Sequence, residues 1–261
     1  MSLQVLSYGG GVQSTAIILL AIDGKIKKPD VVIFANTGSE LPSTYETVEA
    51  VSNLCSQNDI EFLTVYGNPE EFEEGVSLHE YYMQKPKPPF LPMVRNPQCT
   101  FKFKIYPVRR AIKKHRLFDS TKKKPWANTW LGITTDEAHR KRKSDVQWIE
   151  TSFPLLDLDM SRKQCIDYIK NNYPELNVSK SGCFCCPYAS PKKYVDLKIE
   201  HPSLFEICVQ MEKSAKAKGQ TSGLVAGKTI EAYNSTISLI DFGLRVPEDY
   251  SCSSSQGGCF L

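Results

Sequence analysis

The chain has 261 residues, of which 41% are hydrophobic and 23% charged, and its net charge is +3. These values are ordinary for a globular protein made of one α/β domain with additions or of two small domains, and the charge alone does not indicate a nucleic-acid binder. No apolar run approaches the ~20 residues of a membrane span and no signal peptide is evident at the N-terminus, so we expect a cytoplasmic protein with no membrane partner.

The first predicted elements are a strand at residues 3–6, a turn with three glycines and a helix that opens near Gln13. Glycines let backbone N–H groups approach a phosphate, because no side chain stands in the way. The start of a helix adds N–H donors without partners and the positive end of the helix dipole. We therefore predict a phosphate cradle at this turn. The residues predicted for it are Ser7, Gly9, Gly10, Gly11, Gln13, Ser14 and Thr15.

This cradle follows neither of the two commonest phosphate-binding patterns. The Walker pattern needs Gly-Lys-Ser/Thr, but no lysine precedes Lys25; Gly-x-Gly-x-x-Gly is also absent, because position 14 is serine. The alternative interpretation is a tight strand-to-helix turn that merely needs glycine.

The next segments predict a parallel sheet. An apolar run at residues 31–35 is typical of a strand buried on both faces, a helix is predicted at 44–55 and a third strand at 60–66. This alternation favours an α/β fold, a doubly wound and mostly parallel sheet flanked by helices. Ligands of such sheets bind beyond the carboxyl ends of the strands, where both the glycine turn and the loop at 36–40 would lie.

The rest of the chain is predicted to be helical and rich in cysteine. We divide the whole chain into two regions of the same domain. Residues 1–160 form a nucleotide-binding core, and residues 161–261 form a helical region with the cysteine segment and the tail, packed on that core. The further predicted elements are an insertion or lid at 67–98, a helix at 107–115, a fourth strand at 126–133, a short extended piece at 153–158, and helices at 161–171 (with Ser161 as N-cap), 191–200 and 203–218.

Residues 7–14 resemble the PP-loop of the adenine nucleotide α-hydrolase superfamily, and the likeness is closest to its phosphoadenosine phosphosulfate (PAPS) reductase-like branch. Residues 34–38 are similar to the family's Asp-Thr-Gly after the second strand, with Asn36 in place of the aspartate. Residues 153–155 are similar to a Tyr-Pro-Leu that precedes a helix in these proteins. The resemblance implies an adenine nucleotide as ligand: ATP, adenosine phosphosulfate (APS) or PAPS.

A further motif at residues 132–140 resembles the family's Gly-x-Arg-x-x-Glu-x-x-Arg. Thr134 stands where the family has its first arginine, so the resemblance makes Arg140 the catalytic basic residue for the phosphate or sulfate. The nucleotide-site residues that these later motifs add are Asn36, Thr37, Gly38, Gly132 and Asp136.

Nine cysteines are many for a protein of a reducing compartment, where they are more often ligands or redox groups than disulfides. Three of them fall in amphipathic helical patterns and are predicted to fill the core. These three are Cys55, Cys165 and Cys208. The other six lie in loops or beside glycine and proline, and they need another explanation.

Residues 98–107 and 182–187 resemble the two cluster-binding segments of iron–sulfur members of the family. The ligands implied for a [4Fe-4S] cluster are Cys99, Cys183 and Cys186, with Cys185 as a candidate fourth ligand unless one iron stays open. A zinc ion is the alternative occupant, and buried or redox-active thiols are the alternative to any metal.

The tail brings Cys259 close to the C-terminus, beside two glycines, and loosely resembles the mobile catalytic segment of sulfonucleotide reductases. In that case Cys259 attacks the sulfur of the nucleotide, and a thioredoxin-like partner releases sulfite.

A related hypothesis is an ATP-dependent sulfurtransferase that adenylates tRNA or DNA. A third is a non-catalytic nucleotide-binding accessory protein of a modification or defence system. An inert tail is the alternative for Cys252 and Cys259, and we expect a homo-oligomer.

Overall fold

The computed structural model describes residues 2–67, 75–94, 98–225 and 229–230. Its centre is a five-stranded sheet with the order β3-β2-β1-β4-β5, in which every neighbouring pair is parallel. The strands are β1 (Leu3–Tyr8), β2 (Val31–Asn36), β3 (Glu61–Tyr66), β4 (Ala127–Trp130) and β5 (Ile149–Ser152).

Helices cover the sheet and build the C-terminal part. The helices are α1 (Val12–Ile22), α2 (Pro42–Gln57), α3 (Leu78–Gln84), α4 (Gln98–Thr100), α5 (Tyr106–Lys114), α6 (Pro154–Asp157), α7 (Arg162–Asn172), α8 (Pro191–Glu200) and α9 (Pro202–Ala217). A π-helical stretch joins α4 to α5 (Phe101–Ile105), and a 3-10 helix follows β4 (Thr135–Arg140).

Both faces of the sheet are covered, because β1 and β2 are apolar on both sides. On one face, Leu6 and Phe34 pack under α1, α2 and α7. On the other face, Val5 and Ile33 pack under Val108 and the rest of α5. Helices on both faces of a parallel sheet are the doubly wound arrangement, which confirms the predicted fold class.

The register of the sheet brings three loops together. Tyr8 of β1 pairs with Phe34 of β2, and Leu6 of β1 pairs with Trp130 of β4. The carboxyl ends of these three strands therefore meet at one edge, as expected for a binding site in such a sheet. The loops at this edge begin at Gly9, after Asn36 and after Trp130.

The extended piece predicted at residues 153–158 is wrong. Pro154 begins the short helix α6, since a proline has no N–H for a ladder but fits the first turn of a helix. The strand instead lies just before it at β5, which pairs with β4 and, among the described strands, with no other. Three of the four residues in its Ile-Glu-Thr-Ser sequence are polar because an edge strand is partly solvated, and this polarity concealed it in the sequence.

A second apolar cluster gathers the segments outside the sheet. Buried side chains from α3, α8 and α9 pack together with buried cysteines of the first and second cysteine segments. Helix α3 lies inside the predicted insertion and starts with a capping box between Ser77 and Glu80. Ser161 likewise caps α7, as predicted, with Gln164 completing the box. Helix α7 follows the proposed boundary at residue 160 and packs on α1; the division into two regions stays a prediction.

Cys55, Cys165 and Cys208 are buried in the core, as predicted. Among the residues that the structure describes, no helix is both long and apolar enough to cross a bilayer.

Candidate functional site

The glycine turn joins β1 to α1 without a side chain in its path. Gly11 is the N-cap of α1, and no side chain of the described residues caps this helix. Gly10 has a φ of +69°, and a Cβ there would lie 2.7 Å from Cγ2 of Thr44. A Cβ on Gly11 would lie 2.7 Å from the hydroxyl oxygen of Ser181. Gly10 must therefore be glycine, and a side chain on Gly11 would displace Ser181. The N–H groups at the start of α1 remain available to an anion.

The three hydroxyls predicted for the cradle have different roles. Ser14 Oγ accepts a hydrogen bond from Gly9 N–H at 3.3 Å and donates one to Gly11 O at 3.2 Å, so it holds the turn. Thr15 is fully buried, and its hydroxyl lies 3.0 Å from the hydroxyl of Tyr8 in the core. The side chain of Ser7 is 5% exposed, and its Oγ has no hydrogen-bond partner among the described residues. Of these three hydroxyls, that of Ser7 is the one that can still form a hydrogen bond with a ligand.

Gly132 brings the loop after β4 onto the glycine turn. A Cβ at this position would lie 2.9 Å from the backbone nitrogen of Ser14 and 3.1 Å from the backbone carbon of Gln13. Real Cβ atoms do not approach this closely, so any side chain would push the two loops apart. The close approach explains why the predicted motif begins with glycine.

A polar network crosses the front of the turn. Gln13 Nε2 donates to Glu137 Oε2 at 3.4 Å, and the other carboxylate oxygen of Glu137 pairs with Arg140. On the other side, Arg162 Nη1 donates to Gln13 Oε1 at 2.9 Å, and Asp136 Oδ2 accepts the Arg162 backbone N–H at 2.6 Å. The structure thus joins three predicted site residues, Gln13, Asp136 and Arg140, through two that were not predicted. No local sequence signal marks Arg162, because it lies 149 residues from Gln13.

A cavity of about 290 Å³ opens beside the turn, between the carboxyl halves of β1, β4 and β5 and helix α5. Its size is near the lower end of the range for small-molecule sites. Apolar side chains such as Val108 and Ile133 form its walls. The cations at its surface are Arg109, Arg140, Arg142 and Lys143.

Two hydroxyls of this cavity are buried without a hydrogen bond in the described part of the chain. They are those of Ser7 and of Thr129, whose side chain is 9% exposed. A buried hydroxyl without a hydrogen bond costs free energy, so a polar ligand that forms hydrogen bonds with these two hydroxyls would be stabilised in the cavity. Arg109 is already paired with Asp145 at the rim.

The loop after β2 is shaped by its own side chains. Asn36 Oδ1 accepts hydrogen bonds from Gly38 N–H at 2.8 Å and from the Tyr45 hydroxyl at 3.0 Å, so the amide folds back onto the loop. Gly38 has a φ of +65°, and a Cβ there would lie 2.7 Å from Cβ of Ser77. Thr37 is buried, and its hydroxyl lies 3.3 Å from Cys183 Sγ. Thr37 therefore contacts the cysteine segment.

The two cysteine segments meet at one small cavity. Cys99 reaches it from α4, and Cys183, Cys185 and Cys186 reach it from the loop before α8. All four are free thiols, and Lys104 lies at the same cavity. Burial raises the pKa of the Cys183 and Cys185 thiols well above the usual range. The structure thus brings together all four cysteines that the sequence predicts as ligands.

Glu40 joins this group, although it was not predicted. Its side chain is 2% exposed, and the residue faces Cys183 across an isolated antiparallel bridge. Oε1 accepts hydrogen bonds from the Cys183 thiol at 3.3 Å and from the Thr37 hydroxyl at 3.2 Å, and it lies 3.5 Å from Lys104 Nζ. Oε2 is buried without a hydrogen bond among the described residues.

The donor set fits a soft metal, because thiolates select iron–sulfur clusters and zinc. In their present positions, however, no three Cys, His, Asp or Glu side chains of the described residues are arranged to hold a metal ion. The iron–sulfur cluster, zinc and metal-free thiols therefore all stay predictions.

The predicted tail cysteines, Cys252 and Cys259, lie outside the described residues. The chain that leads toward them is anchored beside the cysteine cavity. Glu212 of α9 is buried, and its two carboxylate oxygens accept the backbone N–H groups of Leu224 at 2.8 Å and Ile230 at 2.7 Å. These two residues pack in the same apolar cluster as Cys185.

Comparison with known proteins assigns the sheet to a family. Residues 4–178 match the family model described as "Phosphoadenosine phosphosulfate reductase domain". Among solved structures, a phosphoadenylyl-sulfate (PAPS) reductase from Candida auris in a phosphate complex is similar at 18% identity, over 68% of this chain and 74% of that one, with a TM-score of 0.43. No curated protein matched the chain.

Proposed function

We propose, for a chain that belongs to the phosphoadenosine phosphosulfate reductase domain family, that it binds an adenine sulfonucleotide at the carboxyl edge of the sheet and reduces its sulfur. One observation carries the proposal. The buried hydroxyl of Ser7 has no hydrogen-bond partner in the described part of the chain, and it lies between the glycine turn and a cavity of about 290 Å³ with four cations at its surface. A sulfonucleotide has an anionic group at one end and a nucleoside at the other. Its site therefore needs both an anion-binding turn and a cavity for the nucleoside.

The two parts divide the ligand between them. The N–H groups at the start of α1 hold the phosphate or sulfate end, because they lack partners and carry the positive end of the helix dipole. The nucleoside enters the cavity, where the hydroxyls of Ser7 and Thr129 bind its polar atoms and the apolar walls contact the base. Arg140 lines the cavity and is linked through Glu137 to Gln13 in the first turn of α1, so it binds the negative charge between the two parts.

The reaction that we propose uses the tail. The thiolate of Cys259 attacks the sulfur of the sulfonucleotide; the S–O bond breaks, and the adenosine phosphate leaves with the electron pair. The product is a cysteine S-sulfonate, which a thioredoxin-like dithiol reduces, so that sulfite leaves and the dithiol becomes a disulfide. The anchor at Glu212 supports this role, because it holds Leu224 and Ile230, which precede the tail in the chain, in the same apolar cluster as Cys185.

Cys99, Cys183, Cys186 and Cys185 are the residues that would hold a [4Fe-4S] cluster, or zinc, at their shared cavity. Such a group would supply a Lewis-acidic centre close to the loop after β2. The cationic side chain of Lys104 would offset the negative charge of the ligating thiolates.

The test is to purify the full chain without oxygen and to measure binding of APS, PAPS and ATP, followed by sulfite release with thioredoxin. We expect sulfite from APS or PAPS, and none from Cys259→Ser. Cys252→Ser is the matched control in the same tail and should retain activity. Unchanged sulfite release by Cys259→Ser would disprove the proposed nucleophile, and absence of sulfonucleotide binding would disprove the proposed function.

A second candidate function is ATP-dependent sulfur transfer to tRNA or DNA. It is favoured by the 3.3 Å contact between Thr37 and Cys183, which joins the loop after β2 to the thiols. In this reaction ATP adenylates an oxygen of the acceptor, and pyrophosphate leaves. A sulfide held at the cysteine cavity then attacks the adenylated position, and AMP leaves with the electron pair of the bond that breaks. Pyrophosphate release from ATP only in the presence of tRNA or DNA would support it. Nucleotide binding with neither product would instead favour an accessory protein.

A further inference from the structure

Arg162 is brought to the glycine turn by the packing of one helix on another. It is the first residue of α7, and this helix packs along α1 on the same face of the sheet. Its guanidinium Nη1 donates to Gln13 Oε1 at 2.9 Å, and Gln13 belongs to the first turn of α1. The guanidinium therefore lies at the end of α1 where N–H groups lack partners.

The backbone of Arg162 is held independently of its side chain. Its N–H donates to Asp136 Oδ2 at 2.6 Å, which ties the start of α7 to the 3-10 helix after β4. Ser161 caps α7 and closes a capping box with Gln164. These contacts fix the backbone from which the side chain extends, and the hydrogen bond to Gln13 holds the guanidinium, so less side-chain entropy is lost when an anion binds.

Two arginines flank the Gln13 amide, but their charges are not equivalent. Arg140 is paired with the carboxylate of Glu137, which itself accepts from Gln13 Nε2. The partner of the Arg162 guanidinium is the uncharged amide oxygen of Gln13, and in the described part of the chain no carboxylate forms an ion pair with it. Of the two arginines, Arg162 is therefore the one whose guanidinium brings a positive charge to the front of the turn outside any ion pair of the described residues.

Position 134, in the loop after β4, does not bring such a charge. Thr134 is fully buried, and its hydroxyl has no hydrogen-bond partner among the described residues. The cation available to an anion at the turn is therefore Arg162 of α7, whereas residue 134 supplies none.

We propose that Arg162 binds the phosphate or sulfate group of the nucleotide at the glycine turn. Gln13 positions the guanidinium through its amide oxygen. The planar guanidinium presents several donors in one plane and matches a tetrahedral oxyanion, which a lysine ammonium does not do equally well. The inference rests on the proposed function, because it names a residue that binds the same ligand.

The experiment compares Arg162→Ala and Arg162→Lys with the wild type in the full chain. Binding of APS, PAPS, inorganic pyrophosphate and adenosine is measured by calorimetry. The matched control is Lys163→Ala, since the neighbouring Lys163 side chain is 84% exposed and pairs with Asp167 on its own helix. We expect Arg162→Ala to weaken binding of the sulfonucleotides and of pyrophosphate roughly 10- to 100-fold, and Arg162→Lys to weaken it less.

Adenosine binding separates an anion-binding role from a structural one. Adenosine carries no phosphate, so Arg162→Ala should bind it as the wild type does, and Lys163→Ala should bind every ligand as the wild type does. Equal loss of adenosine and pyrophosphate affinity in Arg162→Ala, or no loss of either, would overturn the inference. If Arg162→Ala does not fold, Arg162→Lys and Arg162→Gln decide by the same comparison.

Pyrophosphate distinguishes failure of the inference from failure of the proposed function. A wild type that binds pyrophosphate but neither APS nor PAPS would contradict the proposed function, whereas the arginine variants would still decide the inference. A wild type that binds no anion would overturn both.

Discussion

The carboxylate of Glu40 lies 3.3 Å from the thiol of Cys183, so the loop after β2 is in direct contact with the cysteine cavity. The same carboxylate oxygen accepts from Thr37 and lies 3.5 Å from the ammonium of Lys104. A buried carboxylate is stable only when such partners compensate it. The contact couples the edge where we place the nucleotide to the site of the four thiols.

The charge of Glu40 should contribute to stability. Glu40→Gln keeps the volume but leaves the largely buried ammonium of Lys104 without this carboxylate. We expect the free energy of unfolding to fall by about 1–3 kcal/mol, measured by urea denaturation. Glu46→Gln, on the exposed side of α2, is the control and should change it by less than ~0.5 kcal/mol. Equal stability of the two variants would contradict the prediction.

Gly132 should be essential for the shape of the nucleotide site. In Gly132→Ala the new Cβ would lie 2.9 Å from the backbone nitrogen of Ser14, so the loop after β4 must move away from α1. We expect unfolding to become easier by about 1–3 kcal/mol and sulfonucleotide affinity to fall, measured by denaturation and calorimetry. Gly9→Ala is the comparison, because its Cβ would meet no atom within 4 Å and should leave stability unchanged. A stable Gly132→Ala with normal affinity would show that the loops tolerate separation.

The hydroxyl of Thr129 should lower the stability of the ligand-free protein and raise its affinity for the nucleotide. Thr129→Val replaces a buried hydroxyl that lacks a partner with a methyl group of similar size. We expect the ligand-free protein to become more stable by about 1 kcal/mol, while nucleotide affinity falls about 5- to 10-fold.

Thr151→Val is the control for Thr129→Val. Thr151 lines the same cavity but is only partly buried, so water can still reach its hydroxyl and both changes should be smaller. A Thr129→Val protein that is less stable than the wild type would mean that its hydroxyl has a partner after all.

The four cysteines should together ligate one iron–sulfur cluster, so that replacing one of them abolishes cluster binding. The chain purified without oxygen should be brown, with visible absorbance that dithionite bleaches, and Cys183→Ser should lose both colour and bound iron. Cys165→Ser is the control, because Cys165 is buried in α7 within the core of the sheet domain. A colourless wild type that contains zinc would contradict the iron–sulfur prediction, and a metal-free one would favour buried thiols.

Local patterns predicted most of the fold but not all of it. The apolar run of β2 and the cap at Ser161 were recognisable because burial on both faces and helix capping depend on neighbouring residues. Strand β5 and helix α3 were missed for the opposite reason. Each is partly polar and is stabilised by what it packs against, β4 in one case and α9 in the other.

The parallel sheet, the glycine turn at its edge and the two cysteine segments could be recognised from short runs of residues, because each is encoded locally. The fold was needed to show that the hydroxyl of Thr15 faces Tyr8, while that of Ser7 has no hydrogen-bond partner among the described residues. It alone brought Arg162 to Gln13 and Glu40 to Cys183. The physical reason is that these contacts join segments far apart in the chain, and their geometry depends on how helices and loops pack at the carboxyl edge of the sheet.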